Sequence, residues 1–98
     1  MSYRLDLSED VLSKLEDLSR ADAKILKQIL IKCLSLRRTP KPQDCKELQN
    51  FNYQRLKGFR VDQGEYRIVY AVDEDIKAVK IGYILNRNQN YKELKNKK

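Results

Sequence analysis

The stretch Gly64-Glu65-Tyr66-Arg67-Ile68-Val69-Tyr70-Ala71-Val72 constrains the fold of this chain more than any other. Its β-branched and aromatic residues read as a buried strand, yet an arginine stands inside it. Tyr66, Ile68, Tyr70 and Val72 share one face, while Arg67, Val69 and Ala71 share the other. A guanidinium on a central strand is expensive to desolvate unless its face meets an anion or water. Two readings follow. Either Arg67 pairs with a carboxylate on a neighbouring strand, or one face of the sheet is open and takes an anionic ligand.

The rest of the chain places that strand late in a simple order. Tyr3, Leu5 and Leu7 alternate with Ser2, Arg4 and Asp6, the period of a half-buried strand. Ser8 caps a first helix, with Glu9 and Asp10 in the turn where the helix dipole favours acids. Val11, Leu12, Leu15 and Leu18 form its apolar stripe. Ser19 and Asp22 resemble a capping box, so a second helix is expected to restart there. That helix carries Ile25, Leu26, Ile29, Leu30, Cys33 and Leu34 at helical spacing, and Pro40 and Pro42 end it. Two helices joined so tightly predict an antiparallel hairpin.

Residues 39–52 read as an irregular polar segment anchored by Leu48 and Phe51. Three strands are then expected, over 53–61, 65–72 and 77–85, with turns at Asp62-Gln63-Gly64 and Asp73-Glu74-Asp75. Such short turns imply an antiparallel meander. Gly58 beside Phe59 suggests a bulge. The segment from Asn88 to Lys98 is expected to be a short helix or a disordered tail. The fold class is therefore α+β in one domain, residues 1–98. It is a two-layer sandwich of an N-terminal strand, a helical hairpin and a three-stranded meander (β-α-α-β-β-β), with one sheet face left open.

Charge then says what that open face wants. The net charge is +7, and it is uneven. Residues 1–52 carry 10 cations and 8 anions, whereas residues 53–98 carry 11 and 6. A polyanion, with nucleic acid first, is the implied partner. The chain has no histidine, which removes Ser-His and Cys-His nucleophiles and the usual general base at neutral pH. With no histidine and no CxxC pair from Cys33 and Cys45, no zinc site is expected; no carboxylate cluster suggests magnesium, and no cofactor is expected. No signal peptide or membrane-spanning run is evident, and free thiols suit a cytoplasmic location.

Arg67 on the open face gains further cations from its neighbours in sequence. Arg55, Lys57 and Arg60 lie on the preceding strand, Lys80 on the following one, and Arg87, Tyr91 and Lys92 lie past it. Guanidinium groups and a phenol around one surface suit phosphate recognition. Each residue alone also has a plain structural reading, as a solvated charge or a packing tyrosine.

The string "GEYRIVYAV" (Gly64 to Val72), followed by "NRNQNY" (Asn86 to Tyr91), resembles the RelE/ParE superfamily of toxins from type II toxin–antitoxin systems. "KEL" at Lys46 to Leu48 is similar to the family's linker. The RelE-like branch implies a metal-independent endoribonuclease that cuts mRNA in the ribosomal A site. There the ribose 2′-hydroxyl attacks the adjacent phosphate. On that resemblance Arg67, Arg87, Tyr91 and Lys57 are the expected catalytic residues, and Arg55, Arg60, Lys80 and Lys92 the RNA-binding ones. Asn86 stands where many relatives carry histidine. The family further implies a cognate antitoxin, with operator DNA reached only through it and no membrane partner. Two alternatives remain open: a ParE-like poison of DNA gyrase, and a non-catalytic module that binds RNA or antitoxin.

Overall fold

The computed structural model describes residues 2–89 and consists of two layers, two helices against one five-stranded sheet. The chain runs β1 (Arg4–Leu7), α1 (Glu9–Ala21), α2 (Ala23–Ser35), β2 (Lys46–Tyr53), β3 (Leu56–Gln63), β4 (Tyr66–Asp73) and β5 (Ala78–Asn86). The sheet order is β1-β5-β4-β3-β2. Strand β1 lies parallel to β5, and β2 to β5 form an antiparallel meander. The α+β order expected from sequence holds, and β3, β4 and β5 are its three-stranded meander.

Helix α1 begins as its residues dictate. The Ser8 hydroxyl accepts a hydrogen bond from the Val11 N–H (3.1 Å), with Glu9 and Asp10 in the first turn. The same hydroxyl donates to the Gly82 carbonyl (2.6 Å), tying the helix start to β5. The restart of α2 differs from the expected capping box. Ser19 remains inside α1, where its hydroxyl donates to the Glu16 carbonyl. Asp22 makes the break: its backbone N–H closes α1 on Leu18, and its carboxylate accepts from the Ile25 N–H (3.2 Å). A single residue thus ends one helix and starts the next.

The helix-side core joins Val11, Leu18, Ile29, Cys33 and Leu36 to Val61, Ile68, Tyr70, Val72, Val79 and Ile81 of the sheet. Tyr70 is fully buried, and its hydroxyl donates to the Pro40 carbonyl (2.6 Å). Burial pushes its phenol well above the ordinary tyrosine range.

Residues 46–53 correct the sequence reading. They form a strand, β2, where an irregular segment was expected, and the expected strand over 53–61 is broken by a turn at Gln54-Arg55. Both turn residues have positive φ (51° and 68°), the conformation of a tight hairpin turn usually left to glycine or asparagine. The irregularity foreseen at Gly58 lies on its partner. Pairing slips between Glu47 and Asn52 of β2, with Asn50 at φ 55°, while β3 alternates unbroken into its partner β4. A Cβ at position 58 would come within 2.7 Å of the Phe51 ring, so glycine lets β2 close over β3.

A second small core therefore covers part of the face expected to be open. Leu48, Phe51 and Tyr53 of β2 pack with Val69 and Ala71 of β4 and with Tyr83 and Leu85 of β5. Strict alternation along β5 would put the last two beside Val79 and Ile81. The β4–β5 register slips between Val69 and Tyr70, which leaves Gly82 as an extra residue and turns Tyr83 and Leu85 to the far face.

Candidate anion-binding site

Alternation on β3 and β4 builds the site. Arg60 and Asp62 share a face of β3, opposite Phe59 and Val61, which point into the helix-side core. The register sets Asp62 directly across from Arg67, and Arg60 across from Val69. Arg87 follows the last residue of β5, and its backbone N–H donates to the Glu65 carbonyl (2.9 Å), which draws it to the same end of the sheet.

Three guanidinium groups then surround one carboxylate. Asp62 Oδ1 accepts from Arg67 Nε and from Arg60 Nη1, both at 3.2 Å, and Asp62 Oδ2 lies 3.8 Å from Arg87 Nε. The side chains of Arg67 and Arg60 are only 18% and 20% exposed, whereas Asp62 is 35% and Arg87 52% exposed. The Arg67 and Arg60 charges are thus held in a partly desolvated position, where ionic contacts are stronger than on an open surface. Their floor is apolar: Val69 and Leu85 are the neighbours of Arg60 and Arg67 across the ladder. Such a cluster can hold a tetrahedral anion and stabilise charge that grows on it.

The expected site residues divide on this frame. Arg60, Arg67 and Arg87 come together. Lys57 does not join them. It alternates with Leu56 and Gly58, which face the second core, so it lies on the opposite side of β3, where its ammonium pairs with Glu47 (3.5 Å). Arg55 sits at the exposed hairpin turn. Lys80 is on the same face as Arg67 but four residues along β4, opposite Ala71, or about 13 Å away at ~3.3 Å per residue. There it donates to Gln54 Oε1 (2.9 Å) and lines a small pocket with Asp6, Leu7, Ser8 and Tyr53. Tyr91 and Lys92 lie outside the described residues.

Two residues of the site escaped the sequence reading. Asp62 looked like a turn residue, and only the β3–β4 register reveals it as the centre of the arginines. Lys46 is the Cα partner of Arg60 and lies on its face, because the register that puts Glu47 opposite Phe59 leaves Lys46 on the other side. Its signal was present in the "KEL" string, but not its direction.

Residues 5–91 match the profile of the ParE toxin of type II toxin–antitoxin systems (parDE), so the chain belongs to that toxin family, within the RelE/ParE superfamily. Its fold is similar to that in the RelE–RelB complex of the archaeon Pyrococcus horikoshii, with TM-score 0.72 and 26% identity over 92% of this chain and 100% of that one. A RelBE toxin–antitoxin complex of Mycobacterium tuberculosis gives TM-score 0.72 at 22% identity, over 89% of this chain and 100% of that one. The YoeB/ParE toxin of Agrobacterium tumefaciens gives 0.71 at 17%, over 85% and 96%. No curated protein sequence is significantly similar.

Proposed function

We propose that this toxin is an endoribonuclease that cuts mRNA held in the ribosomal A site. The observation that carries the reading is the convergence of Arg60, Arg67 and Arg87 on one anionic centre. In the reaction, the 2′-oxygen loses its proton to solvent and bonds to phosphorus, while the bond from phosphorus to the 5′-oxygen breaks and that oxygen takes a proton from solvent, giving a 2′,3′-cyclic phosphate and a 5′-hydroxyl. Arg67, on the rigid central strand, stabilises the negative charge of the five-coordinate phosphorus. Arg60 holds a non-bridging oxygen, and Arg87 acts on the leaving oxygen. An arginine does not give up its proton at neutral pH, so none of the three takes the 2′-hydroxyl proton. Lys46, on the same face, replaces Lys57 as the lysine that approaches the 2′-oxygen. Tyr91 keeps its proposed part in stacking on a base or assisting proton transfer. The protein acts in the cytoplasm, and an antitoxin that pairs with the cations of its second half silences it. That complex binds operator DNA through the antitoxin and represses its own operon.

Primer extension on a defined message, with purified ribosomes and this protein, tests the reading. Cuts with cyclic phosphate ends are expected only when ribosomes are present. Intact message at equimolar toxin overturns it. A second reading has one observation in its favour, namely that the matching family profile is the ParE one. Members of that branch poison DNA gyrase. Broken DNA with whole mRNA in cells expressing the protein selects it.

A further inference from the structure

The carboxylate at the centre of the arginines is not a ligand's but the protein's own. We propose that Asp62 is an internal competitor for phosphate, which occupies the anion site at rest and must be displaced before an RNA phosphodiester can enter. The inference rests on the nuclease reading only for the identity of the incoming anion.

Four observations carry it. First, Asp62 sits where a phosphate would, within 3.2 Å of both Arg60 and Arg67 and 3.8 Å of Arg87. Second, the fit is poor for a resident partner. Strong guanidinium–carboxylate contacts are paired and near 2.7–2.9 Å, whereas Asp62 makes one contact to each arginine, and both hydrogen bonds are longer. Both also fall on one oxygen, leaving the other with only the distant Arg87. A tetrahedral phosphodiester, with two non-bridging oxygens and two ester oxygens, serves three forks better than a planar carboxylate serves them. Third, three guanidinium groups against one carboxylate leave an excess of two positive charges, so the site stays attractive to a further anion. Fourth, Asp62 is 35% exposed and near the end of β3, so rotation of its side chain returns the carboxylate to water without moving the backbone. By contrast Arg67, at 18% exposure, stays in place to receive the ligand.

The consequence is selectivity. Isolated phosphates and loosely bound RNA meet a site already filled, whereas a strand presented by further contacts displaces Asp62. Among the described residues no other carboxylate pairs with Arg60, Arg67 or Arg87.

The test is binding of a 2′-O-methyl RNA hexamer, which 2′-hydroxyl attack cannot cut, to the full chain and to Asp62→Asn. The variant is expected to bind about tenfold tighter. Its affinity should also fall more steeply with salt, by about 0.7 in the log–log slope for each additional phosphate contact. Asp62→Ser, with thermal melting as a folding control, is expected to do the same. In the unsubstituted protein, titration with the hexamer should shift the Asp62 carboxylate carbon together with the Arg67 Nε resonance. Equal or weaker binding by both variants overturns the proposal and makes Asp62 an organiser of the arginines. So does an Arg67 signal that moves while that of Asp62 stays. If ribosome-bound message remains whole while Asp62→Asn still binds the hexamer more tightly, the nuclease reading falls and this one stands. If message is cut while hexamer binding is unchanged in the variants, the reverse holds.

Discussion

The two faces of β4 differ in what they ask of their residues. On one, Ile68, Tyr70 and Val72 disappear beneath two helices and touch Ile29, Cys33 and Val11 in a continuous apolar core. On the other, Arg67, Val69 and Ala71 face a shorter cluster built by Leu48, Phe51, Tyr53, Tyr83 and Leu85. Apolar packing there stops at Arg67, where charges take over. The helix side holds the fold, because it buries the larger apolar area. The far side supplies just enough apolar floor to desolvate the arginines without sealing them from a ligand. The larger apolar core and the arginine cluster therefore lie on opposite sides of one strand.

Substitutions can separate those roles. Ile29→Ala, in the helix-side core, should destabilise the protein by about 2–5 kcal/mol in urea unfolding and leave the intrinsic cutting rate of the folded fraction near that of the parent. Arg67→Ala should do the reverse, lowering the cutting rate about 10²–10³-fold while shifting the unfolding midpoint little. If Arg67→Ala unfolds the protein as severely as Ile29→Ala does, the division between the faces is wrong.

The helix-side core also carries a titratable group. Burial pushes the Cys33 thiol up to about 12 from 9.0. Below pH 9 the thiol keeps its proton folded or unfolded, and its contribution is fully present. Between pH 9 and 12 only the unfolded chain loses the proton, so stability should fall by about 1.4 kcal/mol per pH unit. Tyr70, whose phenol burial also raises, adds to the decline above its ordinary range. Unfolding measured at pH 9 and 10 should show the Cys33 slope, and Cys33→Val should flatten it. A parent protein equally stable at both values would exclude that burial effect.

A smaller contrast concerns two lysines on opposite faces. Lys46→Ala is expected to slow cutting about 10²-fold, the low end for losing a side chain that assists at the 2′-oxygen. Lys57→Ala, paired with Glu47 behind β3, should change it less than about twofold. Equal effects would mean that β2 pairs in a different register when RNA is bound.

Much of this is legible in the sequence. The Gly64–Val72 string announces its strand because alternation is local, and Arg67 lands on the expected face for the same reason. Strand β2 was hidden because Leu48, Phe51 and Tyr53 are spaced three and two apart across a slip in pairing, which destroys a period of two. The turn at Gln54-Arg55 lacks the glycine or asparagine that normally marks one. On β5 simple alternation does not hold past Gly82, where one extra residue reverses every later side chain.

Residue order by itself determined the start of the first helix at Ser8, the central strand and the sign of the charge it would present, since all three depend on neighbours a few positions apart. Only the tertiary structure decided that Lys46 rather than Lys57 shares the arginines' face, and that Asp62 stands among them. Those facts depend on how strands far apart along the chain align, and a shift of one residue in that alignment would reverse them.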